Sequence, residues 1–215
     1  MATKFIVKMD VSDMQGKNVL VFLKPQPPQR NYRIHAWQIL TASAGSTESF
    51  NFDTPMSVDV TSIGEKGQKI ISQRIPIMPG QLYVADSPAS LSPELKEAGA
   101  SMAQEKLTPN QAGVRNETTP FWQVDVNWYV DDKPVVTCPY VDKNMTCTFE
   151  FLPHLYFMVA APPLIGQTYI IQNFSDMTEY IMPISATEVQ VNLTKESGLW
   201  KFSFNPQSAP PANAA

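Results

Sequence analysis

Short runs of β-branched and aromatic residues, each bounded by turn formers, recur along almost the whole chain, and this rhythm limits what it can fold into. The first set is "TKFIVKM", "NVLVFL", "RIHAWQIL", "ESFNFD", "SVDVTSI", "KIISQRIPI" and "QLYVAD". A second set follows as "FWQVDVNWYV", "KPVVTC", "TCTFEF", "LYFMVA", "TYIIQ", "TEVQVNL" and "GLWKFSF". So many strands at close spacing, without intervening helical patterns, predict an all-β protein: an antiparallel β-sandwich, immunoglobulin-like or jelly-roll-like. A chain of 215 residues can bury a sufficient core without metal or disulfide staples. It has 19 prolines against 9 glycines, so its loops are stiffened by fixed φ more than loosened by glycine.

One segment breaks the pattern. In "SPELKEAGASMAQEKL", Ser92 can cap, Pro93 suits the first helical position and Lys106 suits the last turn, which predicts one short helix near 92–106. Gly99 would then lie mid-helix, at a cost of about 1 kcal/mol relative to alanine. The polar, breaker-rich stretch that follows makes residues 91–119 a helical connector or insertion between a first β half, 1–90, and a second, 120–205. Residues 206–215 read as a disordered tail. The alternative organisation is one large sandwich over 1–205. "VLVFLKPQPP" and "LYFMVAAPP" share a strand-to-proline grammar, but a second echo falls in another register and argues against duplication.

A net charge of −4 with no basic cluster leaves no footprint for a phosphate backbone, which excludes nucleic acid as the expected partner. No window holds the roughly 18 apolar residues of a membrane-spanning helix, and Lys8, Asp10 and Asp13 interrupt any signal-like core. The expectation is a soluble chain without an integral membrane segment, cytoplasmic or exported by a non-Sec route. On that basis Cys138 and Cys147 are expected as free thiols, and the sequons at Asn116, Asn144, Asn173 and Asn192 as coincidence. "CPYVDKNMTC" is symmetric about Asp142 and Lys143, so a tight hairpin there would set the two cysteines opposite one another.

Catalytic signatures are scarce. The chain lacks a P-loop, a dinucleotide-binding glycine pattern, a G-x-S-x-G elbow and any zinc spacing, so no cofactor and no metal is expected. His35 and His154 read as partly buried histidines satisfied by backbone carbonyls. Pro25, Pro28 and Arg30 match a polyproline II ligand pattern, but "KPQPPQR" reads more simply as a rigid loop between two strands. In "WQVDVNWYV", Trp122, Val124, Val126 and Trp128 share one face, while Gln123, Asp125, Asn127 and Tyr129 share the other.

The function expected from these residues is non-catalytic: a binding or protein-interaction sandwich that presents rigid proline-rich loops or an exposed sheet face to a protein or carbohydrate ligand. The candidate ligand-binding residues are Trp37, Trp122, Trp128, Tyr129 and Asp125. Such a module is compatible with a homo-oligomer. Three alternatives remain open: a glycosidase using Asp125 and Glu150 across a sugar bond, a carbohydrate-binding module with an exposed tryptophan, and a toxin-like protein whose segment "SVDVTSIGEKGQKIISQ" rearranges into a barrel.

Overall fold

The computed structural model describes residues 2–24, 32–41, 43–52, 55–64, 66–87, 92–119, 123–150, 154–161, 170–171, 177–183 and 185–208. Its strands are β1 (Thr3–Met9), β2 (Asn18–Leu23), β3 (Arg33–Thr41), β4 (Ser46–Phe52), β5 (Met56–Ile63) and β6 (Lys69–Ile71). Next come β7 (Ile75–Ile77), β8 (Leu82–Asp86), β9 (Glu94–Glu97), β10 (Gln111–Asn116), β11 (Gln123–Val130) and β12 (Lys133–Asp142). The last are β13 (Thr146–Glu150), β14 (His154–Ala160), β15 (Ile170–Ile171), β16 (Thr178–Ile181), β17 (Ala186–Glu196) and β18 (Leu199–Ser208). Among the described residues one short α-helix, α1 (Ala100–Lys106), lies between β9 and β10, and a 3-10 turn (Ser12–Met14) lies between β1 and β2. None of the described helices is long and apolar enough to cross a membrane.

The strands form an all-β sandwich of three sheets. A first sheet runs β18-β17-β1-β4 and a second runs β13-β10-β8-β9. A long ten-stranded sheet runs β16-β14-β2-β3-β12-β11-β5-β6, with β15 on β3 and β7 on β5. Most pairs are antiparallel; β1 with β17 and β8 with β10 are parallel. Between β8 and β10, β9 and α1 supply the crossover that a parallel pair requires.

Alternation decides which residues enter the core. In β1, Phe5, Val7 and Met9 are buried while Lys4 and Lys8 are exposed, because successive side chains leave opposite faces of the strand. The first sheet meets the long sheet through Phe5 against Phe157 of β14, Trp37 of β3 against Phe50 and Phe52 of β4, and Tyr180 of β16 against Phe204 of β18. The second sheet meets it through Trp128 of β11, stacked on Phe149 of β13 at 5.3 Å. The long sheet is therefore shared by two smaller ones.

The pairing runs across the expected boundary at 91–119. β1 pairs with β17 from Lys4↔Glu188 to Met9↔Leu193, β2 with β14, and β3 with β12. Strands from both sequence halves thus alternate within the same sheets.

Three expectations are corrected. The helix does not begin at 92: Glu94–Glu97 form β9, an edge strand paired to β8 from Tyr83↔Glu97 to Asp86↔Glu94 and clipped by an ion pair from Lys96 to Asp86 at 3.2 Å. Gly99 is the residue before the helix, with extended backbone, so the mid-helix glycine penalty does not arise.

The supposed connector contains β10, a central strand of the second sheet between β8 and β13, with Ala112, Val114 and Asn116 buried. A Cβ on Gly113 would lie 2.7 Å from Leu107 Cδ2 and 3.0 Å from Leu82 Cδ1, so the glycine there is a packing requirement and not a loop marker. Finally, residues 206–208 belong to β18, where Pro206 pairs with Val189 and Ser208 with Ala186; the rest of the expected tail lies outside the described residues. Pro206 stands on β18, the end strand of its sheet among the described residues, which is the kind of strand that tolerates proline.

Candidate ligand-binding face

One cross-strand row organises the outward face of the long sheet. Asp59 of β5 lies opposite Asn127 of β11, Asn127 opposite Thr137 of β12, and Thr137 opposite Arg33 of β3. The alternation that sends Val126 and Trp128 into the core sends Asn127 out; in β5, Val58 and Val60 enter the core from one face, while on the other Thr61 is half-buried and Asp59 is buried beneath its neighbours.

The row is joined by side-chain hydrogen bonds. Asn127 donates through Nδ2 to Asp59 Oδ1 at 2.8 Å and to Thr61 Oγ1 at 3.0 Å, and its Oδ1 accepts the Thr137 hydroxyl at 2.9 Å. His35 Nε2 meets the same hydroxyl at 3.0 Å. With Thr137 Oγ1 donating to Asn127, the ring nitrogen supplies the complementary N–H. Burial, and then the nearby Arg33 charge, hold His35 below the ordinary histidine pKa, which keeps it neutral.

At the other end of the row stands Arg74, in the segment before β7. Its Nε lies 3.5 Å from Asp59 Oδ2, its Nη1 lies 3.4 Å from the carbonyl oxygen of Asp132, and its guanidinium carbon sits 3.5 Å above the Tyr129 ring. The Asp59 side chain is only 5% exposed, so these donors stand in for the water it loses. Burial first, and then the Asp59 carboxylate, push the Tyr129 hydroxyl up to about 12, so it stays protonated.

Beside this group opens a cleft of about 410 Å³, where Arg74, Asp131 and Asp132 face Pro55, Ile75 and Pro76. Asp131 and Asp132 form the tip of the β11–β12 hairpin with φ of 51° and 57°, the left-handed turn that aspartate tolerates better than most residues.

Of the candidate residues read from the sequence, Tyr129 and Asp125 are on this face. Asp125 accepts a hydrogen bond from the Tyr140 backbone N–H at 3.0 Å, and Tyr140, with φ 57°, is 60% exposed beside it. Trp37 and Trp128 are not: they are 2% and 1% exposed, inside the aromatic core, because each lies on the inward side of its strand. Trp122 lies outside the described residues, as do Pro25, Pro28, Arg30 and Asn173. Trp200 is half-buried and carries Lys195 and Lys17 at 4.8 and 5.8 Å from its ring.

Glu150 is on the outward side of β13 in the second sheet, whereas Asp125 is on the outward side of the long sheet. The Trp128–Phe149 stack lies between the two strands, so these carboxylates are on opposite surfaces of the sandwich.

Among the described residues, both histidines meet side chains and not the backbone carbonyls expected. His35 takes the Thr137 hydroxyl, and His154 Nδ1 meets Glu179 Oε1 at 2.9 Å, where the Tyr156 hydroxyl also donates at 2.6 Å. Asn116 is wholly buried and is no surface acceptor. The cysteine reading is half corrected. A turn does form at Asp142–Met145, closed by Met145 N–H to Asp142 O at 3.0 Å, but β12 belongs to the long sheet while β13 pairs with β10. The strands turn a corner between sheets and do not form a hairpin ladder.

Asp59, Arg74, Asn127 and Thr137 were not singled out in sequence. The alternation "SVDVTSI" places Asp59 on a polar strand face, but its neighbours depend on β5 lying beside β11, a pairing between segments far apart in the chain. Among the described residues no three His, Cys, Asp or Glu side chains gather to hold a metal ion. No family model, curated protein or solved structure matches this chain significantly.

Proposed function

We propose that this chain is a non-catalytic binding protein that uses the outward face of its long sheet, and the cleft at Arg74, to hold a protein ligand. The observation that carries this reading is the rigid polar row from His35 through Thr137, Asn127 and Asp59 to Arg74, ending at a cleft of about 410 Å³. Asp59 and Thr137 are buried within the row, so a ligand meets the exposed groups beside them, Arg74, Asp132 and Tyr140, with Arg74 already ordered by Asp59 and Tyr129, and less conformational entropy is lost on association. The cleft pairs stiff apolar walls, Pro55 and Pro76, with a few fixed polar groups, a combination suited to receiving one side chain of a partner.

A carbohydrate ligand is less favoured by the tryptophans: Trp37 and Trp128 offer no exposed ring for stacking on a sugar. A glycosidase is disfavoured by the placement of Asp125 and Glu150 on opposite surfaces, since such enzymes need two carboxyl groups about 5 to 9 Å apart.

The test is selection of binding peptides from a displayed library, followed by titration against surface variants. Asp132, 91% exposed in its side chain, can be changed to lysine without touching the core. Asp132→Lys and Tyr140→Ala should each weaken the selected peptides about tenfold or more, about 1.4 kcal/mol. Lys201→Glu, on β18 of the first sheet, should leave them unchanged. Equal binding by all variants would remove the face from consideration, and glycan hydrolysis abolished by Asp125→Asn would replace the binder with an enzyme.

A further inference from the structure

The chain's two cysteines lie in strands of different sheets, yet they meet in the core. Cys138 of β12 is 7% exposed and Cys147 of β13 is 1% exposed. The Tyr32 hydroxyl stands 3.8 Å from Cys147 Sγ and donates to Thr148 O at 2.9 Å, and each cysteine perturbs the ionisation of the other and of Tyr32, which puts the three groups in one buried cluster. The indole N–H of Trp128 is buried without a hydrogen-bond partner of ordinary geometry and borders Cys147.

The backbone around the pair is firmly placed. The corner between β12 and β13 is closed by Met145 N–H to Asp142 O, and it is tied to β10 by Asn116 N–H to Met145 O at 2.9 Å and by Asn144 N–H to Asn116 O at 2.6 Å. Two thiols in one buried cluster, carried by ordered strands on either side of a closed turn, are placed to join with little backbone movement, which is the condition that most cysteine pairs fail.

We propose that Cys138 and Cys147 are a latent disulfide site, whose oxidation fastens the second sheet covalently to the long sheet. The oxidant is a small-molecule disulfide of the glutathione class. The thiolate of Cys138, the more exposed of the two, attacks one sulfur of the reagent; the reagent's S–S bond breaks and releases one thiolate. Cys147 then attacks the Cys138 sulfur of the mixed disulfide and expels the second. The reagent is reduced to two thiols, which take up the two protons the cysteines lose, and the cysteines are oxidised to one disulfide.

The neighbouring Cys147 first, and then burial, push the Cys138 thiol above the ordinary range, so exchange in the native protein is slow and accelerates with pH. Cys138 directly follows Thr137, whose hydroxyl joins His35 to Asn127 on the outward face. A bond formed on the core side of β12 therefore lies one residue from the polar row. The inference does not depend on what that row binds.

The experiment incubates native full-length protein with oxidised and reduced glutathione at graded ratios and alkaline pH, and reads intact mass, alkylatable thiols and the urea midpoint. The expected result is a monomer about 2 Da lighter, the two hydrogens lost on joining the thiols, with no free thiol and a raised midpoint that reductant reverses. Cys147→Ser should stop at the glutathione adduct of Cys138. Retention of both thiols in the native protein, with bridging only after unfolding in urea, would overturn the proposal, as would products that are intermolecular only. Wild-type protein alone decides between these outcomes, even if the serine variant folds poorly.

Discussion

Replacing Asn116 by alanine isolates one buried polar hub and tests the way the second sheet is joined to the long one. The side chain has no exposed surface. Its Nδ2 donates to Val141 O at 2.8 Å, and its Oδ1 accepts the Thr118 backbone N–H at 3.0 Å and the Thr118 hydroxyl at 2.7 Å. Truncation strands a carbonyl on β12 and an amide after β10, neither of which can rotate away, while the hydroxyl can turn. At roughly 1–3 kcal/mol for each buried group left unsatisfied, the expected loss is about 3 kcal/mol. For a chain of this length about 2–4 °C of melting temperature accompanies each kcal/mol, so the transition should fall by roughly 6–12 °C. Urea unfolding followed by circular dichroism gives the free energy directly, provided the slope with denaturant is unchanged. A loss under about 0.5 kcal/mol, the ordinary range of surface substitutions, would refute both the burial of Asn116 and its role as a tie.

Gly113→Ala should destabilise by about 1–3 kcal/mol, because its Cβ would press on Leu107 and Leu82; thermal unfolding measures it, and a neutral result would mean the Leu107 side chain moves aside freely. Asp59→Asn should bring the Tyr129 ionisation down from about 12 while leaving it above 10, since burial remains when the carboxylate charge is gone; the ultraviolet difference titration against wild type reads the change. Glu179 is held below the usual carboxylate range, first by the Tyr156 hydroxyl, and it then gains from His154. A carboxylate depressed in the folded state contributes stability that is complete above its unfolded pKa of about 4.3 and is lost as pH falls through the folded value. Tyr156→Phe should therefore flatten the acid side of the stability curve below about pH 4.3, and an unchanged slope in urea midpoints would contradict this.

Period-two alternation is a local property of a strand, and where it was strong the residues could be placed without knowing their neighbours. "WQVDVNWYV" set Val124, Val126 and Trp128 against Asp125, Asn127 and Tyr129, and the strand buries the first group and turns the second outward. The same reasoning failed where polar residues or glycine interrupt the pattern. β10 reads "QAGVRN" and looks like a loop, yet Gly113 is there for close packing, and Asn116 is buried because Val141 and Thr118 satisfy it. In β9, "ELKE" carries good helix formers, but pairing to β8 and the Lys96–Asp86 contact determine its conformation. Local propensity is overridden there by a partner that the local residues do not announce.

The candidate site depends still more on such partners. Asp125 and Tyr129 are on the outward face of the long sheet, but the acidic residue at the centre of the polar row is Asp59, more than sixty positions earlier, and it matters only because Asp59↔Asn127 is the register of β5 on β11. A one-residue slip would turn Asp59 and Thr61 toward Trp128 and place Val58 and Val60 in water, burying a carboxylate without donors. The register is thus enforced from both sides of the sheet: by apolar burial beneath it, and by Arg74 and Asn127, which supply hydrogen bonds to Asp59 only in this alignment. The same contacts that order the outward face also tell β5 and β11 how to pair. Side chains on this row consequently bear on stability as well as on the proposed binding, whereas exposed Tyr140 takes no part in the Asp59 hydrogen bonds and exposed Asp132 reaches them only through Arg74. Substitutions at those two positions report on recognition with the least disturbance of the fold.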